Sequence, residues 1–278
     1  MICFLVKRGK YQLHPILFKI GPFIIGTFKI GPIVIYTYGF FIALAFISGI
    51  LWSSREAKRL GENPERIMDL GFLLTLSAII GARILFILLN LQEYLDHPQN
   101  IIKIWEGGLV FHGGLIASIL VGLLYLKKHH LRTWKYADIL APALALGQSI
   151  GRIGCLMAGC CYGKETSCQW AIRFTDPNSL ATLNVPLHPT QIYESIGTLL
   201  IFATLLGIRK KKSFEGQIFW IYIALYSVLR FTIDFFRGDE IRTFFYHTLS
   251  LTQVLGVVLF LSAIYMLWLL KKGAARKH

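Results

Sequence analysis

Seven long apolar segments constrain the fold of this chain more than any other feature of its sequence. Each has close to the roughly 20 residues that an α-helix needs to cross about 30 Å of hydrocarbon. Only helices and closed barrels satisfy their backbone polar groups in lipid, and runs of this length favour helices. The segments lie near residues 33–52, 67–90, 109–126, 137–157, 190–208, 216–236 and 248–270. The sequence therefore predicts an all-α polytopic membrane protein with about seven transmembrane helices.

The composition supports a membrane protein and argues against other classes. Hydrophobic residues make up 55% of the chain and its mean hydropathy is +0.57, which is too apolar for an ordinary soluble domain. The net charge of +14 does not indicate a nucleic-acid partner, because the basic residues fall between the apolar segments and form no single patch. The N-terminus does not resemble a cleavable signal, since Lys7, Arg8 and Lys10 follow the short apolar start.

The basic residues also predict the orientation of the helices, because cytoplasmic loops are enriched in Lys and Arg. Sixteen of these residues lie in one alternating set of connections and five in the other. The rich set is 53–66, 127–136, 209–212 and 271–278, and the poor set is 91–108, 158–189 and 237–247. We expect the N-terminus outside and the C-terminus in the cytoplasm. The five basic residues of the first 32 disagree and are outweighed by four concordant segments.

The ends of the chain are predicted to differ from its membrane part. The motif FKIGP occurs at Phe18–Pro22 and again at Phe28–Pro32. Two copies are too few for a solenoid, and Gly-Pro pairs break regular structure, so short extended or interfacial pieces are expected. The predicted organisation is an interfacial arm over 1–32, a single transmembrane domain over 33–270 with an outer loop at 158–189, and a basic cytoplasmic tail at 271–278.

Polar residues inside the apolar segments predict a site near the outer face. An ionisable residue in a membrane span is costly unless it faces a partner or a wet cavity. On the predicted topology, all of these residues fall in the outer half of the membrane. They are Tyr38, Arg83, His112, Arg152, His188, Gln191, Tyr193, Glu194, Arg230, Asp234 and Arg237. The four arginines outnumber the two carboxylates, so we expect an anion to complete the site. A guanidinium matches a phosphate bidentately, and lipid headgroups supply phosphate at this depth.

Spacing groups some of these residues and leaves alternatives for others. Arg230, Asp234 and Arg237 share one helix face, which makes Asp234 the partner of the two arginines. Arg152 lies in the glycine-rich stretch GQSIGRIGCLMAGCCYG at 147–163, either as an anion ligand or as a structural residue neutralised by a buried carboxylate. His188 precedes a proline at a helix start, so a capping role and a catalytic role both stay open.

Six motifs together resemble those of the prolipoprotein diacylglyceryl transferases, in register over most of the chain. They are ILFKIGPF (16–23) with Tyr38-Gly39, Gly81-Ala82-Arg83 with Asn90, Phe111-His112-Gly113-Gly114, GRIGC (151–155), HPTQIYE (188–194) and RFTIDFFRGDE (230–240). Each motif is weak alone, and their common order makes the resemblance specific. The sequence departs from the family signature at two positions, with Cys155 in place of Asn and Cys160 in place of Glu.

The resemblance implies a reaction in the bacterial cytoplasmic (inner) membrane, at a site facing the outer side. Such enzymes move the diacylglyceryl group of phosphatidylglycerol onto the lipobox cysteine of preprolipoprotein signal peptides. A thioether forms and glycerol phosphate leaves, with no cofactor. We expect His112 to act as the base for the thiol, and Arg152 and Arg230 to hold the phosphate and stabilise the leaving group. The other expected phosphatidylglycerol contacts are Arg83, Arg237, Tyr38, His188 and Asp234.

The cysteines support a rival hypothesis, a membrane thiol-disulfide oxidoreductase that uses the cluster from Cys155 to Cys168. The sequence lacks a C-x-x-C motif, and a bridge between the adjacent Cys160 and Cys161 would be strained. Metal sites usually need more separated pairs or nearby histidines, so no metal is expected. A non-catalytic phospholipid-binding or transport protein is the third class, and the sequence shows no inverted repeat in its favour.

Overall fold

The computed structural model describes residues 13–21, 23–25, 28–30, 33–103, 107–238 and 249–275. Residues 1–12 of the predicted arm, 239–247 of the last outer connection and 276–278 of the tail lie outside this range. The chain divides into two compact units. The first unit contains residues 1–49 and 140–278, and the second contains residues 50–139.

The described part of the chain is mostly helical. Its α-helices are α1 (Thr37–Arg59), α2 (Pro64–Leu89), α3 (Leu91–Asp96), α4 (Phe111–Lys128), α5 (Thr133–Ala158), α6 (Thr190–Ile208), α7 (Gln217–Asp234) and α8 (Leu251–Ala275). Each of the seven apolar segments contains one long helix, which confirms the helical interpretation of those segments. The short helix α3 and the 3₁₀ turn Pro98–Ile102 add structure to a connection that the sequence left without any.

Six of the described helices are long and apolar enough to cross a membrane. They are α1, α2, α4, α5, α6 and α8. Helix α7 is not among them, because its 18 residues end on a turn that holds Arg230 and Asp234. Large apolar side chains stand exposed along the spans, as at Leu261 and Trp268 of α8, which is the surface expected of helices that face lipid. The protein is therefore a multi-pass membrane protein, with six spans supported by length and composition where the sequence predicted about seven.

Two antiparallel strand pairs before α1 make the fold mostly helical where the sequence predicted an all-α one. Three of the four strands lie in the arm, for which short extended pieces were expected. The strands are β1 (Ile16–Ile20), β2 (Phe23–Ile25), β3 (Phe28–Ile30) and β4 (Ile33–Tyr36), paired β1 with β4 and β2 with β3. The first apolar segment was predicted as helix from residue 33, but its β-branched start, Ile33–Val34–Ile35, pairs with β1 as a strand. Helix α1 begins at Thr37, whose hydroxyl donates to the His14 carbonyl at 2.7 Å.

In the second unit, glycines bring the backbones of α2 and α4 into direct contact. A Cβ added at Gly81 would lie 2.6 Å from the Gly113 carbonyl oxygen, and one at Gly114 would lie 2.7 Å from that of Ala78. Small residues allow such close approach between membrane helices. At Gly113 and Gly114 of α4, the close neighbour is therefore the backbone of another helix. This packing fixes the end of α2 that carries Arg83.

In the first unit, α5, α6 and α7 share a buried apolar cluster. Its fully buried members are Ala141, Ala145, Ile201, Leu205, Ile218 and Tyr222. Gly197 of α6 lies against the side chain of Leu229 on α7, where an added Cβ would overlap it. This cluster aligns the three helices, so the polar residues one or two turns further along them face one another.

Candidate active site

Arg152 of α5 pairs with Glu194 of α6 in the first unit. One terminal guanidinium nitrogen, Nη2, lies 2.6 Å from Glu194 Oε1, and the Tyr226 hydroxyl of α7 donates to the same oxygen at 3.5 Å. Glu194 is 2% exposed, whereas Arg152 is 21% exposed. The sequence left open whether Arg152 is neutralised by a buried carboxylate or binds an anion. The buried carboxylate is present as Glu194, and part of the Arg152 side chain remains exposed to a ligand.

Arg230 and Asp234 form a second arginine–carboxylate pair on α7. Arg230 Nη1 lies 3.7 Å from Asp234 Oδ1, which confirms the pairing predicted from their spacing. Asp234 is fully buried, and the hydroxyls of Ser250 and Thr252 donate to its two oxygens at 2.5 and 3.1 Å. A carboxylate enclosed in this way does not reach a lipid. Its geometry favours positioning of Arg230 over the direct phosphatidylglycerol contact that the sequence suggested.

Three motif segments meet in a small backbone ladder beside these pairs. The backbone amide of Gly163 donates to the His188 carbonyl at 2.9 Å, and the backbone amide of Lys164 donates to the Phe236 carbonyl at 2.8 Å. An added Cβ at Gly163 would lie 2.7 Å from the Phe236 carbonyl oxygen, so only glycine fits there. The ladder places Arg237, which is 7% exposed, opposite Gly163. The ends of three sequence motifs, at residues 163, 188 and 237, therefore come together as one structure.

His188 lies in an aromatic cluster within this ladder. Its Nδ1 is 3.1 Å from the Tyr193 hydroxyl, which also accepts a hydrogen bond from Trp170 Nε1 at 2.7 Å. The His188 ring packs edge-on against Phe236 with 5.3 Å between centroids. The N-cap of α6 is Pro189, with no side-chain cap bond, so the His188 side chain does not cap this helix. Its predicted role as a phosphatidylglycerol contact stays a prediction.

The start of α6 also holds the end of the glycine-rich stretch. Thr190 Oγ1 donates to the Cys161 carbonyl and Gln191 Nε2 to the Cys160 carbonyl, each at 2.7 Å. On the other side of α5, Gly154 lies against Tyr38 of α1, and an added Cβ would come within 3.4 Å of the Tyr38 ring. Tyr38 itself is 42% exposed. Its predicted role as a phosphatidylglycerol contact stays a prediction.

The two remaining predicted residues, Arg83 and His112, belong to the second unit. All five N–H donors of Arg83 reach backbone carbonyls of the connection after α3. The acceptors are Ile101, Gly107, Gly108, Asn100 and Lys103, at 2.5 to 3.4 Å. Arg83 also lies over the rings of Phe86 and Tyr94. With no donor left for a phosphate, its geometry favours a structural role. His112 is exposed in the first turn of α4, and its catalytic role stays a prediction.

Several residues that shape the site escaped the sequence-based list. Tyr222 and Tyr226 stack on α7, and the Tyr222 hydroxyl donates to Gln148 Oε1 at 3.0 Å. Their spacing of four residues was a visible signal, since it puts both on one helix face. Ser250 and Thr252 donate to Asp234, but in the sequence they indicated only the start of a helix. Among the described residues, the site in the first unit thus combines three arginines, Arg152, Arg230 and Arg237, with two buried carboxylates, and this balance of charge suits an anion.

Known proteins share this sequence over most of its length. A family model described as prolipoprotein diacylglyceryl transferase matches residues 26–269. A phosphatidylglycerol–prolipoprotein diacylglyceryl transferase of Trichormus variabilis is 34% identical over 267 residues, covering 93% of this chain and 91% of the relative. Relatives with the same name from Bacillus mycoides and Clostridium tetani are 34% identical over 272 residues and 35% over 204. They cover 96% and 73% of this chain, and 96% and 81% of their own lengths. The chain therefore belongs to the prolipoprotein diacylglyceryl transferase family.

Proposed function

We propose that this protein transfers the diacylglyceryl group of phosphatidylglycerol to the lipobox cysteine of preprolipoproteins. The thiol sulfur attacks the diacylglyceryl carbon that bears the phosphate oxygen, the carbon–oxygen bond breaks, and glycerol phosphate leaves. The thiol proton goes to a base. Family membership supports this activity, and the observation that carries it in the structure is Arg152, which is held by a buried carboxylate and remains 21% exposed.

The arginines of the first unit are the proposed phosphate ligands. As the ester bond breaks, the phosphate gains negative charge, and fixed guanidinium groups stabilise that charge more than they stabilise the bound lipid. Arg152 and Arg230 each pair with a buried carboxylate and keep side-chain exposures of 21% and 15%. Arg237, Tyr38 and His188 complete the proposed binding residues. Glu194 and Asp234 hold the arginines in place.

His112 is the proposed base for the acceptor thiol. A free thiol has a pKa near 8.5, so a base or a cationic field is needed to supply thiolate at neutral pH. His112 is exposed at the first turn of α4, where an incoming peptide can reach it. The attacking sulfur belongs to the substrate, and no cysteine of the enzyme is required as a nucleophile.

Transfer to a lipobox peptide tests the function directly. Purified protein in proteoliposomes that contain phosphatidylglycerol should add one diacylglyceryl group to the peptide, as read by mass spectrometry. A peptide with serine in place of the lipobox cysteine is the matched control and should stay unmodified. No product from the cysteine peptide with folded protein would contradict the proposal. Complementation of a strain depleted of its own transferase supplies the same test in cells.

We further propose that α7 is the seventh span, with the N-terminus outside and the site at the outer face. The sixteen-to-five bias of basic residues supports this orientation, with 1–32 as an interfacial arm, 33–270 as the membrane domain, 158–189 as an outer loop and 271–278 as a cytoplasmic tail.

A cysteine placed in the RKKK connection at 209–212, in a variant whose five native cysteines are changed to serine, tests this topology. We expect it to resist an impermeant thiol reagent added to intact cells and to react after the cells are opened. A cysteine in the 158–189 loop should react in both cases. Labelling of the 209–212 position in intact cells would reverse the orientation.

A further inference from the structure

Three cysteines at the end of α5 form a compact cluster. The Sγ atoms of Cys155, Cys160 and Cys161 all lie within 4.8 Å of one another, and we name these residues the three-thiol cluster. Cys155 is buried and the other two are half-buried. All three are free thiols, so each sulfur is able to act as a ligand. The transfer reaction proposed above uses none of them.

The backbone after α5 explains how residues five and six positions apart bring their sulfurs together. Helix α5 ends at Ala158, and the chain then reverses through two left-handed residues, Gly159 at φ 76° and Cys161 at φ 59°. A left-handed conformation is uncommon for a residue with a side chain. The reversal returns Cys160 to the helix end, where its amide donates to the Cys155 carbonyl at 3.1 Å. Sequence spacing had argued against a metal site, and this reversal removes that argument.

Neighbouring elements hold the reversed turn in place. A side chain at Gly159 would overlap the hydroxyl of Ser179, so the outer loop packs directly on the turn. Thr190 and Gln191 of α6 fix the carbonyls of Cys161 and Cys160, each through a 2.7 Å hydrogen bond. Gln191 is 1% exposed and Thr190 is equally buried. The outer loop and the start of α6 therefore hold the cluster in place, and the three sulfurs are close together before any ligand binds.

The chemistry of three sulfurs selects a soft metal ion. Zn²⁺–thiolate bonds are about 2.3 Å, which puts two sulfurs of a tetrahedral site roughly 3.8 Å apart. The observed limit of 4.8 Å is within reach of small side-chain rotations. Within the described residues, no carboxylate or histidine joins this group, so hard ions such as Mg²⁺ and Ca²⁺ lack their oxygen ligands. Three thiolates around a divalent ion leave one negative charge, which Arg152, one turn before Cys155, helps to offset.

We infer that Cys155, Cys160 and Cys161 bind one soft metal ion through three thiolates, with the fourth position open to water. Each thiol loses its proton to solvent as its metal–sulfur bond forms, and no sulfur changes oxidation state. The vicinal pair Cys160–Cys161 is a poor disulfide partner because such bridges are strained, and this favours the metal over a redox role. The site does not depend on the proposed transferase activity.

Metal titration of the full-length protein in detergent tests the site. The protein is reduced with a phosphine, freed of reductant, and titrated with Cd²⁺, whose bonds to thiolates absorb in the ultraviolet. We expect one Cd²⁺ per chain, counted by elemental analysis after dialysis. In a separate competition experiment, excess Zn²⁺ should displace the bound Cd²⁺. Serine at any one of the three cysteines should weaken binding more than about 100-fold, because even the loss of a group that only orients a metal ligand costs about 10–100-fold. The matched control is Cys168→Ser, which removes a free thiol outside the cluster.

Each possible outcome supports or overturns the site. Equal loss of Cd²⁺ binding in Cys168→Ser, or binding to wild type no tighter than to the triple serine variant, would overturn it. So would a disulfide within the cluster that forms before metal binds. If a serine variant fails to fold by thermal melt, the wild type alone decides. Bound Cd²⁺ should then protect Cys155, Cys160 and Cys161, but not Cys168, from alkylation, as read by peptide mass spectrometry.

Discussion

Arg83 and Arg152 both lie late in an apolar helix and have equivalent positions in the sequence, yet the structure satisfies their hydrogen-bond donors in different ways. In the second unit, the five donors of Arg83 all reach backbone carbonyls, and the side chain has no further capacity. In the first unit, Arg152 has one buried carboxylate beside one terminal nitrogen and remains 21% exposed. An arginine in a membrane helix therefore indicates a functional site when the protein itself leaves some of its donors unused.

The same contrast separates what sequence patterns were able to predict from what they were not. The pair Arg230–Asp234 lies within one helix, so its spacing was enough. The pair Arg152–Glu194 joins α5 to α6, and its existence depends on how the helices pack. Likewise, the acceptors of Arg83 lie about 20 residues further on, in a connection with no periodic pattern.

The largest expected effect is that of Arg152→Lys and Arg230→Lys, which test whether these two arginines bind phosphate. Lysine keeps the charge but loses the planar fork that matches phosphate, so transfer to a lipobox peptide should fall about 1000-fold in each variant. Thermal melts should show that both variants still fold. Near-normal transfer by both would remove the phosphate clamp and leave two structural ion pairs.

Replacing Arg230 and Asp234 together distinguishes a structural ion pair from a phosphate ligand. If Arg230 serves only Asp234, then Arg230→Gln together with Asp234→Asn should recover much of the activity lost in the single variants. A phosphate ligand predicts no such recovery, because the guanidinium is still missing. This double variant therefore distinguishes a ligand from a partner even when both single variants are inactive.

His112 extends the comparison from binding to chemistry. His112→Gln should lower turnover about 100-fold, the scale of a lost general base, while phosphatidylglycerol binding persists. Binding is measured with labelled lipid in the absence of acceptor peptide, and turnover with saturating lipid. Arg152→Lys is the opposite control, since it should lose binding and turnover together. Equal loss of both in His112→Gln would make the histidine architectural.

Substitution at Arg83 should change stability more than chemistry, which is the other half of the comparison. Arg83→Lys leaves at most three donors for the five carbonyls, and each hydrogen bond lost from a charged donor costs on the order of 1.5–3 kcal/mol. We expect a lower melting temperature and a smaller yield of folded protein. Arg83→Lys should melt well below Arg152→Lys. The reverse order would mean that the backbone contacts of Arg83 contribute little.

The segments that were predicted less well share a physical cause. The positions of the helices were predictable from the sequence because long apolar runs have one stable form in lipid. The pairing of the strands before α1, Phe18 with Ile35 for instance, was not predictable, because strands this short leave no period long enough to detect. The three-thiol cluster was missed for a related reason. Two left-handed residues reverse the chain, and no spacing rule for helices or metal motifs anticipates that turn.

The smallest expected effect concerns a half-buried ion pair of the second unit, in contrast to the fully buried Glu194 of the first. Glu62, between α1 and α2, contacts Lys135 and accepts a hydrogen bond from the Tyr136 hydroxyl at 3.1 Å. The hydrogen bond from Lys135 is the main reason that the pKa of Glu62 lies below its ordinary value, with Tyr136 and the charge of Arg132 adding to it and partial desolvation opposing it.

A carboxylate whose folded-state pKa is depressed stabilises the fold above its unfolded pKa, and that contribution disappears as the pH falls through the folded value. The difference in melting temperature between wild type and Glu62→Gln should therefore be small but complete at pH 7, and should shrink below about pH 4.3. Glu165→Gln, at an exposed carboxylate of the first unit, is the matched control and should show little difference at any pH. A gap for Glu62→Gln that grows on acidification would reverse the sign and show that burial, and not Lys135, dominates this side chain.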